Sequence, residues 1–338
     1  MIRKGIRSID FEKSAFISSS ACIAGKKEGE GPLGNTFDEI VEDDLLGTDS
    51  WEKAESALAK RAVHMCIEKA KKKIADIDVL LAGDLNAQII SSGFAARDLG
   101  VPFLGMYGAC STMIESILTG AAFVSQGAFQ NVIASASSHF CTAERQFRTP
   151  LELGTQRQPS AQWTATAAGA CMIENRKTDI SISAGTIGRV IDLKIKDAAH
   201  MGAAMAPAVY DTLIGHLDDM KMDLFDYEKI ITGDLGIYGL EILKELIKKE
   251  TSKSTDELFY DCGANLYSKD QDTHAGGSGC GCIASVLSGH ILSNIKKGKY
   301  RKILILGSGA MMSVTSSLQG ESIPSISYAV SLERCSND

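Results

Sequence analysis

The chain has 338 residues, of which 44% are hydrophobic and 23% charged, and its formal net charge is −7. This is the composition of an ordinary globular protein with a large core, and the length suggests two or three domains. The negative charge argues against nucleic acid as the main partner, because phosphate binding depends on clustered Lys and Arg, and no such cluster stands out. No stretch is long and apolar enough to span a bilayer, and the charged first ten residues do not resemble a secretion signal. We therefore expect a protein that is cytoplasmic or peripherally associated with a membrane.

The nine cysteines are an odd number, scattered without the spacing of a disulfide scaffold. This usage is typical of a reducing compartment. Cys280 and Cys282 form a CxC pair, but no second pair or suitably spaced His accompanies them. We predict neither a structural metal site nor a bound cofactor.

Helical and strand patterns alternate along the first 110 residues. Residues 25–34 are rich in Gly and charge, and we expect them to form an exposed loop. Residues 51–73 follow a Ser cap and place apolar side chains at helical spacing. Residues 78–82 (DVLLA) have the pattern of a short buried strand, residues 92–99 that of a helix, and residues 101–106 that of a second strand.

This second strand runs into Tyr107-Gly108-Ala109-Cys110-Ser111-Thr112, which precedes an amphipathic stretch at 114–125. A strand that turns through a glycine into a helix places the Cys110 thiol beside the helix N-terminus, where free N–H groups and the macrodipole favour a thiolate. Thr112 and Glu115 fit a capping box, so we expect the helix to begin at Thr112. The pattern predicts a nucleophilic site at Cys110, and the competing interpretation is a small buried hydrophobe.

The next apolar strand, at 131–135, ends in Ser137, Ser138 and His139. Strand, helix and strand in this order predict a right-handed crossover and a parallel sheet. Ligands of such sheets gather beyond the carboxyl ends of the strands. Cys110 and His139 both lie at such ends, so their side chains can meet although 29 positions separate them.

Two segments of the first half recur in the second half. Residues 76–85 are matched by 226–235, and both end in Gly-Asp-Leu; residues 127–135 are matched by 298–306. Between these markers each half has a glycine-cysteine turn before a helical stretch. Internal duplication of this kind predicts a pseudo-twofold molecule with a cleft near two helix N-termini.

We therefore predict an α/β fold of two βαβ-rich halves, residues 1–175 and residues 176–338. Two polar stretches, residues 142–148 and 185–192, are expected to lie close to Cys110 and His139 in the fold. Their charged residues suit recognition of a carboxylate, because guanidinium pairs bidentately with planar anions. The alternative is a salt-bridged surface. These residues are Glu144, Arg145, Arg148, Arg189 and Asp192.

The motifs of the whole chain resemble those of one family. They include LAGDL (81–85), GACST (108–112), TAERQFR (142–148), GRVID (188–192), and AGGSGCGC (275–282). Together they are similar to the stage V sporulation protein AD family, within the thiolase and ketoacyl-synthase superfamily. The resemblance implies a thiolase-like fold in which the two halves pack as layers.

The same resemblance implies a function in spore-forming bacteria. Such a protein would bind dipicolinic acid, alone or as its calcium chelate, and assist its movement across the spore inner membrane in sporulation and germination. Its partners would be membrane-embedded proteins of the same transport system, and a homodimer is plausible for the fold. The candidate ligand-binding residues are Cys110, Ser138, His139, Arg145, Phe147, Arg148, Arg189 and Asp192.

The catalytic partners of the superfamily are missing from this chain. Where the ketoacyl-synthase-III branch carries His-Gln-Ala-Asn, the sequence reads Gly233-Asp234-Leu235-Gly236, and at the Gly-Asn-Thr turn it reads Ala275-Gly276-Gly277-Ser278. A carboxylate opposes a developing oxyanion, so we predict a binding protein and not an enzyme. The alternative is an acyl-CoA-dependent acyl transferase or condensing enzyme that uses Cys110. Asp84 and Asp234 would cap or pair within the core, or hold calcium beside a dicarboxylate.

Overall fold

The computed structural model of the chain describes residues 1–147 and 157–335, which form a layered α/β structure. The strands are β1 (Ile2–Lys4), β2 (Ser8–Asp10), β3 (Phe16–Gly25), β4 (Glu39–Val41), β5 (Val79–Gly83), β6 (Phe103–Gly105), β7 (Asn131–Ser138), β8 (Trp163–Thr164), β9 (Ala167–Glu174), β10 (Ile180–Ile187), β11 (Lys229–Thr232), β12 (Phe259–Asp261), β13 (Gly277–Ser278), β14 (Lys302–Ala310) and β15 (Ser325–Arg334).

The helices are α1 (Lys26–Gly29), α2 (Trp51–Lys69), α3 (Ile90–Leu99), α4 (Thr112–Ser125), α5 (Phe140–Phe147), α6 (Met201–Met220), α7 (Gly236–Ile247), α8 (Cys262–Leu266), α9 (Cys280–Val286), α10 (Leu292–Lys296) and α11 (Val314–Leu318). A π-helical turn, Leu287–Ile291, joins α9 to α10. Within the described ranges, no helix has both the length and the apolar content needed to cross a membrane.

Ten strands form one continuous path in the order β12-β11-β14-β15-β10-β3-β9-β7-β5-β6. The strands from the first half of the chain make one arm and those from the second half make the other, and the arms meet where β3 pairs with β10. In each arm a short parallel strand, β6 or β12, lies at the outer edge. The order is the same from the centre outward, as the repeated motifs predict, and the boundary at residue 175 itself stays a prediction.

Two helices lie between the arms. Helix α4 packs on β5 and β7 of one arm and on β14 and β15 of the other, and α9 packs beside it on β7 and β9. Helices α2 and α3 cover the outer face of one arm, while α6 covers that of the other and carries α7 against it. Strand β5 pairs in parallel with both β6 and β7, which confirms the predicted parallel sheet.

Apolar periodicity explains why these segments are helices. Ala54, Leu58, Ala62 and Cys66 form the buried stripe of α2 and pack on the sheet, at the helical spacing that the sequence shows. The α2 helix begins after Ser50, whose hydroxyl accepts a hydrogen bond from the Lys53 N–H. Both features were predicted and are confirmed.

One expectation about exposure is wrong. Residues 25–34 are not simply an exposed loop, because Glu28 in α1 is buried and accepts hydrogen bonds from the Thr166 N–H and the Tyr267 hydroxyl. Strand β6, although apolar, is exposed along its whole length at the end of the sheet. Strand β2 departs from the simple division into halves, because it leaves its own arm and pairs with β10.

The approach of α9 to β9 depends on one glycine. A Cβ at Gly169 would lie 2.2 Å from the Ala284 carbonyl oxygen, which is backbone and cannot rotate away. We expect Gly169→Ala to lower the free energy of unfolding by about 1–3 kcal/mol, measured by urea denaturation, because the two elements must separate.

Gly93, inside α3, provides the matched control. Nothing lies within 4 Å of a Cβ built there, so Gly93→Ala should leave stability unchanged or raise it by about 0.5–1 kcal/mol. Equal effects of the two substitutions would contradict this account of the packing.

Candidate functional site

The turn that carries Cys110 has a strained backbone. Ala109 adopts φ 51°, in the left-handed region that residues with a side chain seldom occupy. This turn is closed by the Ser111 N–H bonding to the Gly108 carbonyl at 3.1 Å, and the chain then enters α4. The helix begins at Thr112, as predicted.

The predicted capping box is wrong. The Thr112 hydroxyl donates to the Ala109 carbonyl at 2.7 Å and accepts from the Gly108 N–H at 3.1 Å, so it fastens the turn and not the helix. Glu115 faces the Tyr328 hydroxyl, 3.5 Å away. The side chain of Thr112 is therefore part of the support for the Cys110 turn.

Residues from the second half face the Cys110 thiol. Its Sγ lies 3.9 Å from the Ser278 Oγ, and the Asp234 carboxylate interacts with the same thiol. These are the two segments in which the sequence lacks the superfamily's histidine and asparagine. The structure thus brings Cys110, Asp234 and Ser278 together at the meeting point of the two arms.

Asp234 is fully buried and held by three donors. The Ser278 hydroxyl and the Gly279 N–H each donate to Oδ2 at 2.9 Å, and the Ser308 hydroxyl donates to Oδ1 at 2.8 Å. Burial raises the pKa of Asp234, and the hydrogen bonds act in the opposite direction. Because every neighbouring donor points at its oxygens, the group is arranged as an acceptor.

The same surroundings suppress the reactivity of the cysteine. Burial, followed by the charge of Asp234, holds the pKa of the Cys110 thiol well above its usual range. The expected thiolate is therefore wrong, because burial and a neighbouring carboxylate outweigh the helix N-terminus. The buried-hydrophobe interpretation describes the ionisation state of Cys110 better.

Asp84 occupies the corresponding position in the first half. Its carboxylate accepts from the N–H groups of Asn86 and Ser92, at 2.9 and 2.7 Å. Beside it lies buried Glu55, whose pKa burial raises to about 8. Asp84 thus fixes the chain after β5, which agrees with the predicted capping role. In the described part of the chain, no group of three or more His, Cys, Asp or Glu side chains is placed to hold a metal ion.

His139 and Ser138 support the backbone at the end of β7. The His139 Nε2 lies 2.8 Å from the Asp44 carbonyl and Nδ1 accepts from the Cys141 N–H at 3.1 Å, so the buried ring is held neutral between backbone groups. Burial lowers the pKa of His139. Ser138 donates to the Ala165 carbonyl and accepts from the Gly281 N–H. Within the described chain, His139 makes no hydrogen bond to Cys110.

The predicted cationic residues are dispersed. Arg145 pairs with Glu52 and lies 5.6 Å from the Trp51 ring, with half of its side chain exposed. Phe147 packs at the margin of the main core. Arg148 lies outside the described residues.

The polar stretch of the second half is also paired on its own surface. Arg189 pairs with Asp211 on α6, and Asp192 pairs with Lys194 at 2.8 Å and accepts from Ser322. These bonds lower the pKa of Asp192 to about 2. The structure does not bring Arg189 or Asp192 into contact with Cys110 among the residues it describes.

An aromatic and cationic cluster was missed by the sequence analysis. Phe140 and Trp163 are stacked with ring centroids 3.8 Å apart, and Lys27 and Arg157 lie 4.1 and 4.7 Å from the Trp163 ring. Strand β8 pairs with β13, so Trp163 is next to Thr164, the partner of Ser278. No sequence pattern connects these four residues. Only the pairing of β8 with β13 shows that Trp163 lies next to the glycine turn of the second half.

The layered fold with a cysteine turn between two duplicated arms defines a thiolase-like protein. A structure of 3-oxoacyl-[acyl-carrier-protein] synthase III from Aquifex aeolicus is 12% identical, has a TM-score of 0.57, and covers 95% of this chain and 100% of its own. Xanthomonas campestris OleA is 13% identical with a TM-score of 0.62 and coverages of 94% and 96%. Human mitochondrial 3-ketoacyl-CoA thiolase, solved in complex with CoA, is 11% identical with a TM-score of 0.57 and coverages of 98%.

The chain belongs to the family Stage V sporulation protein AD (SpoVAD), whose model matches residues 5–333. It is 41% identical over 324 residues to stage V sporulation protein AD of Bacillus subtilis (strain 168), with 96% of each chain covered. The resemblance that the sequence motifs indicate is confirmed, and so is the thiolase-like fold.

The negative charge of Asp234 predicts how its substitution changes the reactivity of the Cys110 thiol. Asp234→Asn removes the negative neighbour, which should lower the pKa of the thiol and accelerate its alkylation by iodoacetamide at pH 8 by about tenfold, the equivalent of one pKa unit. The rate is measured by peptide mass mapping of Cys110. Asp84→Asn, at the corresponding position, should leave the rate unchanged.

Loosening of the fold would accelerate alkylation for a different reason. Ser308→Ala removes one donor to Asp234 but keeps the charge, so it should not accelerate the reaction. If Ser308→Ala and Asp234→Asn accelerate alkylation equally, the electrostatic explanation is wrong.

Proposed function

We propose that the protein binds dipicolinic acid without transforming it. With membrane-embedded partners of one transport system, it assists movement of this ligand across the spore inner membrane. Membership of the sporulation family supports the setting. The observation that supports the binding role is the cluster of Phe140, Trp163, Lys27 and Arg157. The unreactive Cys110, which faces Asp234 and Ser278, supports the absence of chemistry.

The geometry around Cys110 opposes condensation chemistry. An acyl-transfer reaction needs an activated thiol and donors aimed at the developing oxyanion, and loss of one such donor costs about 2.7–4 kcal/mol of barrier. Here the group facing the thiol is a carboxylate whose neighbouring donors are already engaged. These contacts support a scaffold that does not carry out condensation.

The chemistry of dipicolinate fits the cluster around Trp163. The ligand is a planar pyridine with two carboxylates, so it needs a flat apolar surface and cationic donors. Trp163 and Phe140, which stack on each other, supply aromatic surface, and Lys27 and Arg157, which lie over the Trp163 ring and would move aside for the ligand, supply charge. Arg145 is already neutralised by Glu52, so it contributes less than the sequence predicts.

A second candidate function is an acyl-CoA-dependent acyl transferase. The favouring observation is that Cys110 stands immediately before α4, between the arms of a fold shared with condensing enzymes. The high pKa of its thiol disfavours this candidate.

Ligand binding is tested with Trp163 as the reporter. The chain has two tryptophans, so Trp51→Phe leaves Trp163 alone, and calorimetry and fluorescence titration with dipicolinate, with and without calcium, should show saturable binding. Arg157→Ala should weaken binding by about tenfold or more, since a charge-assisted hydrogen bond contributes about 1.5–3 kcal/mol. Arg148→Ala tests the sequence-based assignment, and Arg189→Ala is the control, which should leave affinity unchanged.

Different results of these titrations test the ligand-binding function and the assigned binding residues separately. Absence of heat and of a thermal shift at millimolar dipicolinate would contradict the function. Binding that persists unchanged in both Arg157→Ala and Arg148→Ala would reject only the assigned residues. A stable acyl adduct on Cys110, seen by intact mass after incubation with acyl-CoAs, would favour the transferase.

We also propose that two copies associate through β6. This strand ends the sheet, and the side chains of Phe103, Leu104 and Tyr107 are 36%, 44% and 42% exposed, with Phe94 of α3 beside them at 38%. An unpaired apolar edge favours pairing, and an antiparallel pair about a twofold axis satisfies both copies equally.

Light scattering after gel filtration tests the dimer. The native chain should elute at twice 36.1 kDa, and Leu104→Lys should shift it to the monomer, because a buried unpaired charge disfavours the contact. Leu318→Lys is the control, since Leu318 is 81% exposed on α11 at a different place. A native monomer, or equal effects of both variants, would contradict this interface.

A further inference from the structure

A polar cavity lies at the opposite end of the sheet from Cys110. It is open to solvent on one side, has a volume of about 360 Å³, and is lined by the start of β3, the end of α2, and the helix around the π-turn. On β3, Ser19 is opposite Met172, whereas Ala24 is opposite Ala167, which pairs with Ser138 at the end of β7. Five residues of strand separate these levels by about 17 Å, so the cavity is distinct from the site described above.

The lining of this cavity is rich in hydroxyls and lacks aromatic rings. Of ten described lining residues, six carry a hydroxyl, two are lysines and one, Asp38, is acidic. The lining therefore carries one net positive charge in a chain of net charge −7. A flat aromatic acid finds no surface to stack on here, so this cavity does not suit dipicolinate.

Asp38 is occupied by groups already in the structure. Its Oδ1 pairs with the Lys69 ammonium at 2.5 Å, and its Oδ2 accepts from the Cys22 N–H at 2.9 Å. Lys69 also donates to the Ser20 carbonyl at 3.0 Å. An ammonium has three protons, so Lys69 keeps one donor after these two bonds.

The positive charge that remains is that of Lys296. Among the residues that the structure describes, no carboxylate pairs with its ammonium, and Ser293 lies three residues earlier on α10 and also lines the cavity. Residues three apart share a helix face, so a hydroxyl and an ammonium are presented side by side. Together with Lys69, they form a convergent set of donors from two separate helices.

The π-turn shapes one wall of the cavity. Ser288 and Gly289 belong to the turn Leu287–Ile291, and such turns within α-helices are frequent at functional sites. A Cβ at Gly289 would lie 2.5 Å from the Thr36 carbonyl oxygen. This position therefore requires glycine, and the wall is fitted closely to the loop before β4.

We propose that this cavity binds a phosphoryl group, held by Lys296, Ser293 and the free donor of Lys69. A tetrahedral dianion offers acceptor oxygens in several directions, which suits donors that converge from two helices, and lysine binds phosphate as a point charge. The group belongs either to inorganic phosphate or to a small phosphate monoester, since 360 Å³ exceeds what phosphate alone fills.

The test is calorimetric titration of the full chain with inorganic phosphate, with glycerol 3-phosphate and with acetate. We expect saturable binding of the first two and none of acetate. Tighter binding of glycerol 3-phosphate assigns the site to a monoester, and equal affinity assigns it to free phosphate. Lys296→Met should weaken phosphate binding about tenfold, the loss of one charge-assisted bond.

Lys297→Met is the matched control. Lys297 follows on the same helix end but does not line the cavity, so its loss should change affinity by less than about twofold. Lack of saturable phosphate binding, or equal losses in both lysine variants, would overturn the proposal. The dipicolinate response of Lys296→Met is measured in parallel and should match that of the native chain, so this site and the proposed function fail independently.

Discussion

The buried carboxylate of Asp234 is the interaction on which the centre of the molecule depends. An unpaired charge at this depth would cost several kcal/mol, so its donors must all be in place. They come from β13, from the start of α9 and from β14. The Asp234 side chain thereby holds three segments of the second half in place. Their positions determine which groups face Cys110. Because these donors are all bonded to Asp234, none of them is available to exchange protons with a substrate at Cys110.

Much of the architecture can be predicted from the sequence, because it rests on local patterns. The stripe of α2, the start of α4 at Thr112 and the parallel strands around the Cys110 turn all follow from periodicity and turn chemistry. Helix α6 does not, because Pro207 lies inside it and removes one backbone donor. The surrounding core, with Met205 and Val209 fully buried, stabilises a helix that local propensity disfavours.

Some contacts around Cys110 follow from the sequence, and the positions of the predicted arginines do not. The repeated motifs predict that turns of the two halves meet, and Cys110 lies beside Ser278 and Asp234, two residues outside the predicted ligand-binding set. Arg145 and Arg189 are near the site in sequence only, since long side chains pair with whichever carboxylate the fold brings closest, here Glu52 and Asp211. The Trp163 cluster depends on the pairing of β8 with β13, more than a hundred residues apart, which no local pattern contains.

The pairing of β2 with β10 has a consequence for how the chain folds during synthesis. Asp10 is opposite Ala184, and the N–H groups of Ile6 and Arg7 bond to Asp219 on α6. Residues 1–10 are synthesised before these partners, which emerge about two hundred residues later. Loop closure over such a distance is slow, so the first arm can assemble while its leading hairpin stays in solvent. Residues 1–10 are thus among the last to dock, and they pair with β10 and α6 after both arms are built.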